Sequence, residues 1–241
     1  MNKIGSIIDF ETIDSTSKYL KENYNNLKDF TFVSSLFQTE GRGRMERTWE
    51  SKKGENLLFS LLIKQKSLLK LYSSISILSA TVILNVLKDE YKIDDVSIKW
   101  PNDVYINSKK VSGILLEGIS VSSSFECLII GIGLNVNQKT FDNINATSMS
   151  LSLGYDIDIK KLKNIIYDKL MTELGMLEDG SSNYLDTARK NNYLKDKCVY
   201  ANISGEVVLV KALDINNDNS IKIEYDNKTY NLFSDEITFH E

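Results

Sequence analysis

Residues 38–49 read Gln38-Thr39-Glu40-Gly41-Arg42-Gly43-Arg44-Met45-Glu46-Arg47-Thr48-Trp49. Two glycines alternate with two arginines, a third arginine follows, and an indole closes the stretch. Gly41 and Gly43 let the backbone bend and approach a ligand with no Cβ in the way. Arg42, Arg44 and Arg47 carry planar guanidinium forks that match carboxylate and phosphate oxygens. Trp49 offers a flat face on which a ring can stack. The apolar run at residues 30–37 predicts a strand, so the arginines stand on a loop leaving a sheet. A loop this cationic is expected not to fold onto itself without an anion to neutralise it. The alternative is a solvated surface turn, and the rest of the chain decides between them.

The 241 residues, 42% of them apolar, suffice for one large domain or for one domain with a small appendage. A net charge of −4 gives no global attraction to DNA or to an anionic membrane. Cys127 and Cys198 lie far apart in sequence and fit a reducing compartment better than a disulfide framework. The N-terminus alternates apolar and polar residues and lacks the basic-then-apolar order of a signal peptide. No apolar run approaches the ~18 residues that a membrane helix needs. These features predict a soluble cytoplasmic protein. Pro101 is the one proline and His240 the one histidine, which excludes histidine-built metal sites and Ser-His or Cys-His catalysis.

Residues 4–10 read as a strand, and Asp14-Ser15-Thr16-Ser17 supplies N-cap chemistry for a helix carrying Tyr19, Leu20, Tyr24 and Leu27. Those hydroxyls either only cap the helix or also face a polar ligand. Residues 57–63 form a continuous apolar run that fits a buried strand. Residues 68–91 show apolar spacings of three and four and predict one core helix. Residues 96–100 predict a short strand ended by Pro101, which forces Trp100 into an extended conformation. Residues 104–106 resume the strand, and Asn107-Ser108 reads as a hairpin turn. Lys110 opens the return strand, in which Gly113 marks close approach by a ligand or another backbone. Lys110 is either a hairpin lysine that snorkels or a cation held for chemistry.

Residues 127–136 are an apolar strand interrupted by Gly131, Gly133 and Asn135, and its glycines do not fit a dinucleotide-binding pattern. Residues 138–153 read as loop. Long and short helices are predicted at 159–177 and 181–194. From Lys197 onward short β runs at 199–203, 206–213, 221–225 and 229–233 suggest a small barrel appended to an α+β domain. Several fixed cations, a stacking ring and no nucleophile point to chemistry by positioning and charge neutralisation. ATP-dependent activation of a carboxylate fits that description, because the attack on phosphorus needs cations and the product must be shielded from water.

Four motifs in order, Gly41-Arg-Gly-Arg-Met-Glu-Arg-Thr-Trp49, Lys99-Trp-Pro-Asn-Asp103, Lys110-Val-Ser-Gly-Ile-Leu115 and Gly131-Ile-Gly-Leu-Asn-Val-Asn137, resemble the motif series of biotin–protein ligases (biotin–[acetyl-CoA-carboxylase] ligases). The resemblance covers residues 1–195 well and the tail weakly. It implies a mixed sheet flanked by helices, of the class II synthetase-like kind, over residues 1–195, and an SH3-like barrel over 196–241. It implies a two-step reaction: biotin and ATP, with Mg²⁺, give biotinyl-5′-AMP and pyrophosphate, and a lysine of a biotin carboxyl carrier domain then takes the biotinyl group. By position, Ser15, Thr16, Ser17 and Gln38 would bind the biotin ureido ring, with Gly43 and the backbone of Gly113 and Leu115 lining the pocket. Arg42 and Arg44 would contact the biotin carboxylate and adenylate phosphate from a loop that orders on binding. Arg47, Trp49, Asn102 and Asn135 would serve the nucleotide. Lys110 would stabilise charge on the reacting groups, and Asp103 would orient or help deprotonate the incoming lysine. The resemblance assigns no residue to the metal.

Departures also stand out. Ser17 occupies a place where the family usually has Asn, and Ser234-Asp-Glu-Ile-Thr238 lacks the arginine that usually follows. The first catalytic strand begins near Ile4, so no N-terminal helix-turn-helix and no DNA binding are expected. Family members often pair through an exposed sheet, which leaves a homodimer open here. A lipoate- or octanoyl-transferring relative shares the fold, but the arginine loop and Lys99–Asp103 favour biotin. A non-catalytic biotin-binding or regulatory protein is the other rival, and the intact loop and Lys110 speak against it.

Overall fold

The structure is a computed structural model that describes residues 5–45, 47–122, 124–143 and 145–239. Its centre is β3 (Asn56–Ile63), buried along its whole length as the unbroken apolar run predicts. Strand alternation sends Leu57, Phe59, Leu61 and Ile63 to one face and Leu58, Ser60 and Leu62 to the other. The first set joins the main core, while Leu62 joins a smaller cluster with Leu20, Val33, Cys127 and Ile129. Among the described residues, β3 lies third in a sheet of seven strands. In order these are β1 (Ile7–Phe10), β2 (Phe32–Ser35), β3, β7 (Ser124–Asn135), β6 (Lys109–Val121), β5 (Asp103–Ile106) and β4 (Val96–Lys99). β1 runs parallel to β2 and the other neighbours are antiparallel, so the sheet is mixed.

Helices α3 (Tyr72–Asn85), α5 (Ile159–Glu178) and α6 (Asn183–Lys190) supply buried residues to the main core, and α1 (Thr16–Asn23) places Leu20 in the smaller one. In α5 the buried residues are Leu162, Ile166, Leu170, Leu174 and Leu177, the stripe that its spacing predicts. The tail forms a second, antiparallel sheet from β8 (Cys198–Ile203), β9 (Glu206–Ile215), β10 (Ile221–Tyr225), β11 (Lys228–Leu232) and β12 (Ile237–Phe239), in the order β11-β10-β9-β8-β12. This is the α+β architecture with an SH3-like C-terminal sheet. The tail is pinned to the large sheet by buried polar groups. Trp100 Nε1 donates to the Asn219 carbonyl at 3.0 Å, and the Tyr184 hydroxyl donates to Asn219 Oδ1 at 2.9 Å. Trp100 and Phe239 also meet edge-to-face.

Several elements differ from expectation, each for a local reason. The second strand shrinks to Phe32–Ser35 because Phe30 adopts a positive φ of 57° and turns the chain. The helix expected at 68–91 is broken into α2 (Lys66–Leu69) and α3, with a turn at Leu71, whose amide bonds to the Leu68 carbonyl; a π-helical turn, Val86–Glu90, then ends it. The expected loop at 138–153 contains α4 (Met149–Leu153), capped by the Ser148 hydroxyl and closed by Gly154 at φ 80°. The helix expected at 181–194 spans only Asn183–Lys190. β12 is too short to leave a periodic signal. Asn107 and Ser108 both have positive φ, as a tight hairpin requires, and the Trp100–Pro101 peptide is cis. Ile4 and His240 lie outside the described residues.

Candidate active site

A cavity of about 400 Å³ opens on the α1 side of the sheet. Its floor follows from strand parity. On β7, Gly131, Gly133 and Asn135 are two apart and share one face, so they line up in a row with steps of roughly 7 Å. On β6, Gly113 is paired with Gly133 and Leu115 with Gly131. The missing side chains are filled by neighbours. A Cβ on Gly131 would lie 2.6 Å from Ser17 Oγ, and one on Gly133 would lie 2.3 Å from Trp49 Cε2. Gly113 is covered by Trp49 and by the Lys110 side chain. The glycines thus make a trough, with a hydroxyl cluster over one end and an indole over the next step.

The hydroxyl end is built where β1 and β2 run out side by side. There an isolated parallel bridge joins Ile13 to Gln38. Ser15 caps α1, accepting from the Lys18 amide, which leaves Thr16 and Ser17 at the start of the helix, buried over β3. Gln38 Oε1 accepts from the Thr16 amide at 2.7 Å and from its hydroxyl at 2.9 Å. Ser60 Oγ lies 2.7 Å from Thr16 Oγ1 and 2.9 Å from Ser17 Oγ. Ser15 therefore caps the helix, and Ser15, Thr16 and Ser17 all line the cavity.

The cationic end depends on a β-bulge. Lys110 stands three positions before Gly113, which in a regular strand would place it on the opposite face. The register slips between the pairs Val104↔Ser112 and Tyr105↔Lys110, leaving Val111 as the extra residue. The bulge reverses the parity and turns Lys110 into the cavity. Its backbone also bonds to the loop at 145–147. Lys110 Nζ lies 2.8 Å from Asp103 Oδ1 as an ion pair, at angles that do not make it a hydrogen bond, and 5.7 Å from the Trp49 ring. Lys110 is thus partly buried in the cavity wall.

The arginine loop closes on itself as a hairpin: Arg42 bridges to Thr48, the Gly43 amide donates to the Arg47 carbonyl at 2.7 Å, and the Trp49 amide donates to the Gly41 carbonyl at 3.0 Å. Backbone bonds close the hairpin while the guanidiniums splay apart. Arg42 and Arg47 stay exposed at the rim. Arg44 turns inward and donates to Asn102 Oδ1 at 3.1 Å and to the Ser234 carbonyl at 2.6 Å. Burial pushes its guanidinium below the ordinary value, while Asp103 and Asp235 act in the opposite direction. Asn102 is itself fixed by donating to the Ile114 carbonyl at 2.8 Å.

The cavity wall includes Ser15, Thr16, Ser17, Gln38, Arg42, Gly43, Arg44, Arg47, Trp49, Asn102, Asp103, Lys110, Gly113, Leu115 and Asn135, every candidate residue of the sequence reading. It also includes residues to which the sequence had assigned no role in the site: Ser60, Gly131, Gly133, and Ile237, Thr238 and Phe239 of β12. Ser60 had a signal, as a polar residue inside an otherwise apolar buried strand; the bulge and β12 had none. Three buried atoms on this wall have no hydrogen-bond partner among the described residues: Trp49 Nε1, a donor, Asn135 Oδ1, an acceptor, and Asp103 Oδ1, which faces Lys110 as an ion pair. No cluster of three or more His, Cys, Asp or Glu side chains able to hold a metal occurs among the described residues.

Comparison with known proteins adds to this geometry. The Bacillus subtilis "Bifunctional ligase/repressor BirA" is 36% identical over 158 residues, covering 63% of this chain and 48% of that protein. The chain thus spans about half the length of the first curated relatives it matches. The Escherichia coli protein of the same name is 26% identical over 226 residues, 92% of this chain and 70% of its own length. In three dimensions the chain is similar to the biotin protein ligase of Aquifex aeolicus solved with biotin and ATP, with a TM-score of 0.82, 27% identity and coverage of 98% and 99% of the two chains. The profile of the biotin/lipoate A/B protein ligase family matches residues 10–135, more than half of the chain. With the motif series, the mixed sheet and this cavity in agreement with that match, the chain belongs to the biotin/lipoate A/B protein ligase family.

Proposed function

We propose that the protein activates biotin with ATP to biotinyl-5′-AMP and passes the biotinyl group to a lysine of a biotin carboxyl carrier domain. The observation that carries this reading is the division of one trough into a hydroxyl-and-amide end and a cationic end. Residues 1–195 act as the catalytic domain and 196–241 as an SH3-like domain that lends β12 to its wall. The cysteine usage favours the reducing cytoplasm as its place of action, and among the described residues no helix is long and apolar enough to cross a membrane.

Ser15, Thr16, Ser17 and Gln38 hold the ureido ring, while Gly113, Leu115 and Gly43 border the ring and tail. The carboxylate then lies near Lys110 and Arg44. One carboxylate oxygen attacks the α-phosphorus, the bond to the β-phosphate oxygen breaks, and pyrophosphate leaves. Lys110 and Arg44 lower the repulsion between the two anions and follow the charge as it moves to the leaving oxygen. Arg42 and Arg47, on the rim, meet the phosphate tail. Trp49 Nε1 and Asn135 Oδ1 offer a buried donor and acceptor on the nucleotide side, and Asn102 keeps Arg44 aimed. Mg²⁺, when bound, neutralises the triphosphate oxygens. Because the described residues form no carboxylate cluster for it, the ion would be held mainly by phosphate and water, with one of the wall carboxylates Asp103, Glu50 or Asp142 as a protein donor. In the second step the carrier's amine attacks the acyl carbon, AMP leaves, and Asp103, paired to Lys110, takes or directs the amine's proton.

The test is an incubation with biotin, MgATP and a carrier domain, following the carrier's mass. A biotinyl increment that vanishes without ATP supports the reading. Transfer of lipoate or octanoate in its place moves the protein to the sister branch of its family, and binding of biotin without pyrophosphate leaves a non-catalytic protein. A second expectation concerns the floor. Gly133→Ala would drive a methyl into Trp49, 2.3 Å from Cε2. Displacing the indole is expected to weaken ATP binding at least about tenfold, a typical loss for one buried aromatic contact. Biotin affinity, set two residues away at Gly131, is expected to change little; calorimetric titration of both ligands checks this, and equal losses would remove Trp49 from the nucleotide side.

A further inference from the structure

Ser60 has no assigned role, yet it is fully buried at the junction of the hydroxyl cluster. Counting protons fixes the direction of every bond there. The Thr16 amide can only donate, so the Gln38 atom 2.7 Å from it is the carbonyl oxygen and the NH₂ group points elsewhere. That oxygen also accepts the Thr16 hydroxyl proton at 2.9 Å. Thr16 has one such proton, so its 2.7 Å contact with Ser60 must be filled by the Ser60 proton. Ser60 is then left as an acceptor, and its 2.9 Å contact with Ser17 takes the Ser17 proton. The chain runs Ser17 to Ser60 to Thr16 to Gln38 with one polarity, and the fixed backbone amide at its end sets that polarity.

The consequence appears at the cavity. Ser17 and Thr16 have spent their protons inward and offer lone pairs, whereas the Gln38 amide nitrogen lies beside Gly41. Ser15, which accepts from the Lys18 amide, keeps its proton for the cavity as well. Acceptors and donors are thus presented side by side, the pattern that complements an N–H next to a carbonyl in a cyclic urea. We infer that Ser60 is a positioning residue for specificity: it passes on to Ser17 the polarity that Gln38 imposes on Thr16, so that the Ser17 hydroxyl faces the ligand's ureido N–H as an acceptor. This inference rests on the biotin reading of the site. Without Ser60, the Thr16 hydroxyl still donates to Gln38, but the Ser17 hydroxyl rotates freely and can accept or donate, so a ligand lacking the N–H is no longer singled out.

The experiment compares wild type, Ser60→Ala and Ser60→Thr with biotin and with biotin methylated on one ureido nitrogen. Thermal unfolding confirms that each variant is folded. Ser60→Ala is expected to raise KM for biotin about tenfold, the scale of one net buried hydrogen bond, while kcat and KM for ATP stay put. The penalty for N-methylation, large in the wild type, is expected to shrink in Ser60→Ala and to return in Ser60→Thr, which keeps the hydroxyl. An unchanged biotin KM and an unchanged methylation penalty in Ser60→Ala would overturn the inference, as would parallel rises in both KM values. If Ser60→Ala does not fold, Ser17→Ala decides by the same penalty, which must then fall. Wild-type protein that turns over biotin while the variants match it sinks the inference alone; wild-type protein that does not bind biotin sinks the functional reading with it.

Discussion

Lys110→Ala is expected to slow biotinyl-5′-AMP formation by about 10²–10³-fold, the usual cost of removing one preorganised group that stabilises developing charge. Its affinity for biotin is expected to remain within a few-fold of wild type. The asymmetry follows from placement. The bulge at Val111 turns the ammonium over Gly113, beside Asp103 and the Trp49 ring and away from the hydroxyl end. Its charge is needed most when carboxylate and phosphate approach each other, so the loss belongs to the transition state more than to the bound substrate. Single-turnover pyrophosphate release, read beside equilibrium biotin binding, separates the two. A large loss of biotin affinity with unchanged turnover at saturation would remove Lys110 from the chemical step.

Arg44→Ala is expected to release the intermediate. Arg44 ties the hairpin loop to Asn102 on one side and to the Ser234 carbonyl on the other. Its removal leaves both oxygens without that donor and loosens the cover over the trough. A charged hydrogen bond contributes about 1.5–3 kcal/mol, so escape of biotinyl-5′-AMP should rise at least about tenfold. Ultrafiltration of the reaction and the labelling of bystander lysines both report the escaped adenylate. Equal leakage from variant and wild type would mean that the loop does not retain the product.

Much of this was legible because the chemistry constrains residue type strongly. Fixed cations, alternating glycines and a proline-ended strand have few structural uses in that order, and all of these but Gly41 lie on the cavity wall. Strand β3 and helix α5 were legible because burial imposes a period on apolar residues. What was not legible depended on register or on distant partners. The bulge that aims Lys110 involves Val111, an ordinary strand residue. The loop's hairpin closure is made by backbone groups, which every sequence possesses. β12 has three residues and gains its place only by pairing with β8. Ser60 looked like an imperfection in a core strand until the start of α1 was set above it. The departure at Ser17 reads differently in three dimensions as well, because its hydroxyl reaches Ser60 across the space that Gly131 leaves open.

The two ends of the trough also differ in how far along the chain their partners lie. Thr16 and Gln38 are 22 positions apart, whereas Arg44 reaches Ser234 across 190. Contacts between near neighbours in sequence survive partial opening, while those that rely on a docked terminal sheet go first. Mild urea is therefore expected to strip the protein of adenylation before it strips it of biotin, as fluorescent-biotin binding and pyrophosphate release followed along one titration would show. Coincident loss of both would mean that the terminal sheet and the hydroxyl end open together. A trough that fails from one end at a time would, under stress, keep its vitamin and lose only the power to spend ATP on it.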